Sequence, residues 1–126
     1  MKNKNKFKYL NVQPLGKEEE DCVCRAITLA LNEDYYKIQK MLKLIAEMFE
    51  CQELCVCCYQ HLLDDVYKLK RVYGYSGCAI KHFVEDHPKG VYIIRIDGHL
   101  TCCVEGCIYD IWDCSDKIID IVWEVM

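Results

Sequence analysis

The sequence predicts an α+β fold in which helices come first and an antiparallel β-meander follows. Three observations carry this. Apolar residues recur at helical spacing through about residue 69. From Val91 onward the period changes to two. Asp97-Gly98 and Glu105-Gly106 then mark short turns between successive strands. Helical segments followed by strands, rather than alternating with them, belong to the α+β class. A chain of 126 residues is one domain with one core of ordinary size.

The elements follow in order. "MKNKNKFK" interleaves lysine with asparagine, and residues 1–9 are expected to be a flexible basic arm, leaving 10–126 as the folded unit. "FKYLNVQPLG" is at most a short edge strand, closed by Pro14 and Gly16. "KEEED" is a charged approach, and Asp21 is a suitable N-cap. From Cys22 to Leu31 only Arg25 and Thr28 are strongly polar, and with Asn32 they form one narrow stripe. A helix so apolar elsewhere belongs in the centre of the molecule.

Asn32 or Asp34 caps a second helix through about Phe49, with Ile38, Met41, Leu42, Ile45, Met48 and Phe49 on one face. A third pattern runs from about Leu54 to Leu69, aligning Leu54, Cys58, Leu62, Val66 and Leu69. After "GYSG" comes a short helix around Ile80 to Glu85. "VYIIRI", "HLTCCV", "CIYDIW" and "IDIVWEV" are the four strands.

Composition narrows the function. Apolar residues make up 52% and charged residues 29%, as in a globular protein. A net charge of −4 argues against nucleic acid as a partner. No run is long enough to span a membrane, and the start has no apolar signal region, so the expected location is the cytoplasm. In that reducing setting the 11 cysteines are expected to be mostly buried free thiols. Cys102 and Cys103 are adjacent on a strand, so one should face outward; with an open sheet edge this makes a homodimer an option.

Cys22 opens the central helix, where a thiol is most easily ionised. The helix terminus contributes about 0.3–1 kcal/mol to an anion. One pKa unit is about 1.4 kcal/mol, so full activation needs a second partner, normally an imidazolium. His99, which follows a tight turn and opens a strand, is the best placed of four histidines; His61, His82 and His87 are read as surface or core residues. An Asp or Asn should orient the imidazole, and "YDIWDCSD" offers Asp110, Asp113 and Asp116. A two-residue turn at Glu105-Gly106 sets His99 opposite Trp112 and Asp110 opposite Thr101, turning Asp113 to the other face unless a bulge shifts the register. Cys24 diverges from Cys22 by about 200° around the helix and belongs to the core.

"DCVCRA", "GHLTCCVEG" and "YDIWDCS" stand in the order of the papain-like thiol peptidases: cysteine at a buried helix start, then His at a strand start, then Asp one strand later. Over about residues 20 to 125 the chain resembles compact members of that fold, such as bacteriocin-exporter peptidase domains and NlpC-type enzymes. It also resembles small bacteriophage and bacterial proteins of that predicted fold. The resemblance implies Cys22 as nucleophile, His99 as general base and acid, and Asp113 as the orienting residue, with Asp110 the alternative. It further implies an oxyanion donor from the Cys22 N–H. The family's glutamine stands about six residues before the nucleophile; Gly16 occupies that position here, and Gln13 is the nearest substitute.

The implied activity is hydrolysis of a peptide or other amide through an acyl-enzyme, in a protein of phage or mobile-element origin and with no cofactor. The competing expectation is an inactive scaffold that binds a host protein. A third is a small zinc-stabilised module built on "CQELCVCCYQH". If that stretch is helical, Cys51, Cys55 and Cys58 are simply core-facing; if it is a loop, a zinc or copper(I) site becomes possible with Cys78 as a distant ligand. The spacing matches no common structural zinc pattern, so no metal ligand is assigned.

Overall fold

A computed structural model describes residues 6–125 and has the expected α+β architecture. Its elements are β1 (Phe7–Tyr9), α1 (Cys22–Leu31), α2 (Tyr35–Phe49), α3 (Val56–Gln60), β2 (Lys70–Arg71), α4 (Ile80–Asp86), β3 (Val91–Ile96), β4 (His99–Val104), β5 (Cys107–Asp110) and β6 (Ile119–Glu124). Within the described residues the strands form one sheet in the order β1-β5-β4-β3-β6-β2, all antiparallel except the β1–β5 pair.

Two features of the sheet differ from a simple meander. β6 does not pair with β5; it crosses to the far side of β3, with Ile93 opposite Trp123. β5 is therefore free to take β1 on its other edge, where Phe7 lies opposite Ile108. Phe7–Tyr9 thus belongs to the sheet and not to an arm, and residues 1–5 of the expected arm lie outside the described residues.

The sheet is covered on both faces. α1, α2 and α3 pack on the face that carries Ile93, Leu100, Cys102 and Trp123. On the opposite face α4 packs with Ile80, Phe83 and Val84 against Tyr92, Ile94, Cys103, Ile108 and Val122. This second layer overturns the expectation of an outward cysteine: Cys102 and Cys103 are both fully buried, one in each layer. The outward-thiol argument for a homodimer falls with it.

α1 begins and ends where its apolar run does. Val23, Cys24, Ala26, Ile27 and Ala30 are buried, and the small side chains let the helix lie close to β4. Cys24 is core as expected, its thiol directed at the Tyr35 carbonyl. The polar stripe, however, is not a solvent face, because Arg25 and Thr28 are buried too. Asn32 stops the helix in the left-handed region and Asp34 caps α2, accepting from the Lys37 N–H. The third helical pattern divides: α3 is five residues long and passes into a π-helical turn over His61–Val66. That turn aims Asp64 at Arg71 on β2 and at the Trp123 indole N–H, each 2.7 Å away.

The hairpin joining β4 to β5 fixes the register that matters most. Glu105 and Gly106 both have positive φ, as a tight two-residue turn requires. Val104 then faces Cys107, Cys103 faces Ile108, and Cys102 faces Tyr109.

Candidate active site

Continuing that register by one pair sets Thr101 against Asp110, and by three sets His99 against Trp112. The side chains obey it: Thr101 Oγ1 donates to Asp110 Oδ2 at 2.6 Å, and the His99 and Trp112 ring centroids are 4.9 Å apart. His99 Nε2 bonds the same Asp110 oxygen at 2.7 Å. The carboxylate that engages His99 is therefore Asp110, and the Asp113 implied by resemblance is not its partner. Asp113 is exposed, and its Oδ1 accepts from the Ser115 N–H and hydroxyl. No bulge displaces β5, so the simple register holds and Asp113 stays outside the site.

Nε2 of His99 is engaged by Asp110, and the imidazole also interacts with Cys114 and with Cys22, which sits half-buried at the start of α1. Cys22 and His99 act on each other. Burial alone raises the Cys22 thiol, but interactions with the His99 imidazole and the Leu100 backbone N–H, with the charges of His99 and Arg25, bring it below the usual thiol range. Burial likewise disfavours a charged His99, yet Asp110, Cys114 and Cys22 outweigh it and push the imidazole up to about 11. Burial also opposes ionisation of Asp110, and the bonds from His99 and Thr101 reverse that, holding its carboxyl below the usual range. The three shifts run in one direction: toward an ionised thiol, a protonated imidazole and a charged buried carboxylate.

Two further residues, Arg25 and Thr101, make that carboxylate tenable, and neither was a candidate site residue from sequence. Arg25 Nη1 donates to Asp110 Oδ1 at 3.1 Å, while its Nε donates to Asp21 Oδ1 at 2.7 Å. Tyr35 completes this row, donating its hydroxyl to Asp21 Oδ2 at 2.7 Å. The signals existed: an arginine on an otherwise apolar helix, and a threonine directly cross-strand from Asp110. Asp21 does occupy the N-cap position, but its side chain makes no capping bond. The first-turn N–H groups, that of Cys22 included, have no intrahelical acceptor and remain available to an anion.

Gln13 does not extend into this site. Its Oε1 accepts from the Leu15 and Lys17 N–H groups at 2.8 and 3.0 Å, so it shapes its own turn. The cavity against Cys22, walled by Leu10, Val12, Arg25, Leu29 and Leu100, has a volume of about 10 Å³, room for a single water. A wider cleft of about 330 Å³ lies past Asp21 between α1, α2 and the loop before α3, with Glu19, Glu20, Gln39 and Glu53 on its walls. Among the described residues no helix is long and apolar enough to cross a membrane.

Comparison with family models, curated proteins and solved structures returned no match. The site's own geometry is thus what bears on function.

Proposed function

We propose that this protein is a cysteine-dependent hydrolase of amide or ester bonds, working on a papain-like plan, with a peptide or protein as substrate. The observation that carries this reading is His99, held by Asp110 through Nε2 and interacting with Cys22 at the start of α1. A structural histidine needs only one such partner. Here the partners lie on three separate elements and polarise one another in the direction nucleophilic catalysis needs.

In the proposed cycle the Cys22 thiolate adds to the carbonyl carbon, forming a C–S bond and moving the carbonyl electron pair onto oxygen. The free N–H groups at the start of α1 face that oxyanion. The C–N bond then breaks as the His99 imidazolium gives its proton to the leaving amine. Water, deprotonated by the now neutral His99, adds to the acyl-enzyme. Collapse releases the acid and the thiolate. Asp110 keeps its negative charge throughout and stabilises the imidazolium.

A second reading is a binding scaffold that does not turn over, supported by Gln13, which is committed to its own loop, and by the small cavity beside Cys22. Iodoacetamide labelling below pH 6 separates the two. Rapid modification confined to Cys22 and slowed by His99→Ala supports the hydrolase. Slow labelling spread over several thiols, unchanged in His99→Ala, overturns it in favour of the scaffold.

A further inference from the structure

Outside the Cys22–His99 region, the second concentration of reactive side chains is the turn between α2 and α3. The helical reading of "CQELCVCC" fails here, because α2 ends at Phe49 and α3 starts only at Val56. Cys51 and Cys55 therefore lie in the connecting turn. Cys58 alone takes the core position, its thiol directed at the Leu42 carbonyl at 3.3 Å.

The turn brings three thiols together. The Sγ atoms of Cys51, Cys55 and Cys57 all lie within 4.8 Å of one another, and those of Cys55 and Cys57 are 3.0 Å apart. All three are at least partly open to solvent. Cys51 packs in part against the core, but none of the three is buried, and core packing leaves Cys55 and Cys57 unexplained. A thiophilic cation about 2.3 Å from each of three sulfurs needs those sulfurs roughly 4 Å apart. Cys55 and Cys57 must therefore move apart by about 1 Å, and Cys57 is exposed.

The backbone beneath is fixed at both ends. Glu50 ends α2 in the left-handed region, and the Cys51 N–H bonds the Ala46 carbonyl at 2.9 Å. The Cys55 N–H bonds the Gln52 carbonyl, and the Cys55 carbonyl receives the Cys58 N–H at 3.0 Å. Cys51 also borders a surface cleft of about 370 Å³ lined by Glu47, Glu53 and Lys43, an entry route with two carboxylates and one ammonium beside it.

We infer that Cys51, Cys55 and Cys57 form a three-thiolate binding site for a soft monovalent cation, Cu(I). Thiolates select Cu(I) and zinc over harder ions. Structural zinc takes four protein ligands, whereas this cluster supplies three ligand atoms among the described residues. Three-coordination suits Cu(I). His61, at the end of the same stretch, is paired with Asp65 at 2.9 Å and is not part of the cluster, nor is Cys78. Binding replaces the thiol protons with the metal and involves no change of oxidation state.

The test is anaerobic titration of the reduced full chain with a Cu(I) salt against a chromophoric Cu(I) chelator, with Zn(II) in a parallel series. The expected result is one equivalent held at least tenfold more tightly than by a C51S/C55S/C57S variant, with C22S and C78S unchanged. Equal retention by the triple variant overturns the site. Displacement of Cu(I) by equimolar Zn(II) overturns the choice of ion. Should the triple variant fail to fold by circular dichroism, C57S alone, at an exposed position, must still weaken binding; no change sinks the proposal. Because C22S is expected to bind as well as the parent, the outcome is independent of the hydrolase reading.

Discussion

Arg25 and Asp110, 85 positions apart in the chain, meet inside the protein, the guanidinium Nη1 3.1 Å from the carboxylate Oδ1. Their side chains are only 7% and 2% exposed. The contact ties the first turn of the central helix to the end of β5, the two elements that must stay in place for Cys22 and the Asp110-bound His99 to face each other.

Removing the guanidinium leaves the largely buried Asp21 without a cation and the buried Asp110 with His99 alone. Breaking one side of a buried pair costs about 3–5 kcal/mol. Arg25→Ala should therefore lose stability on that scale in urea unfolding, and Arg25→Lys, which cannot span both carboxylates with a fork, should lose less. A change under about 1 kcal/mol for Arg25→Ala would mean that the bridge contributes little.

The two aspartates of "YDIWDCSD" should separate cleanly. Asp110→Asn removes the charge that holds His99 protonated, so the imidazole pKa falls and Cys22 loses its counter-ion. Each unit of increase in the thiol pKa cuts the thiolate fraction about tenfold at acidic pH. Alkylation of Cys22 at pH 5.5 is expected to slow by on the order of tenfold or more, while Asp113→Asn, altered only at an exposed turn, labels like the parent. Equal effects would contradict the assignment of Asp110.

Protonation of His99 gives a stability signal with a definite sign. Its folded pKa, about 11 with Cys22 present, lies above the unfolded value near 6.5. The stabilisation is then complete below about pH 6.5 and is lost as pH rises toward the folded value. Cys22 works oppositely: its lowered pKa contributes stability above the ordinary thiol range, lost as pH falls through the folded value. Comparing C22S with C22S/H99A removes that second effect. The difference in their urea midpoints should be constant at acidic pH and shrink progressively as pH rises above 6.5; a difference that grows has the wrong sign.

Gly106 guards the register of the β4–β5 hairpin. It has a φ of 75°, and a Cβ there would stand 3.2 Å from the Pro88 Cα. Gly98 has a similar φ of 71° but open space around it. Gly106→Ala should lower stability by more than the roughly 1 kcal/mol expected at Gly98→Ala, since steric contact adds to the backbone strain. It should also slow Cys22 labelling, because a slip by one residue would turn Asp110 away from His99. Thermal denaturation and the alkylation rate report the two effects separately.

Local pattern determined much of this protein. The limits of α1, the register of the β4–β5 hairpin and the meeting of His99 with the Asp110 position follow from short-range rules of helix periodicity and two-residue turns. Cys22 at the head of α1 was legible for the same reason. What lay beyond such rules was decided by packing. A polar stripe on a helix reads as a solvent face, but Arg25 turned inward because two carboxylates wait there, one from the helix's own cap and one from β5. Adjacent cysteines on a strand read as one in and one out, but α4 covers the second face and both are buried. β6 crossed beside β3 because pairing order depends on which sheet edge is free, and that is a property of the assembled layers. Sequence periodicity specifies which side of an element is apolar; only tertiary contact specifies what stands opposite, and therefore whether a charge or a thiol there is solvated, buried or paired.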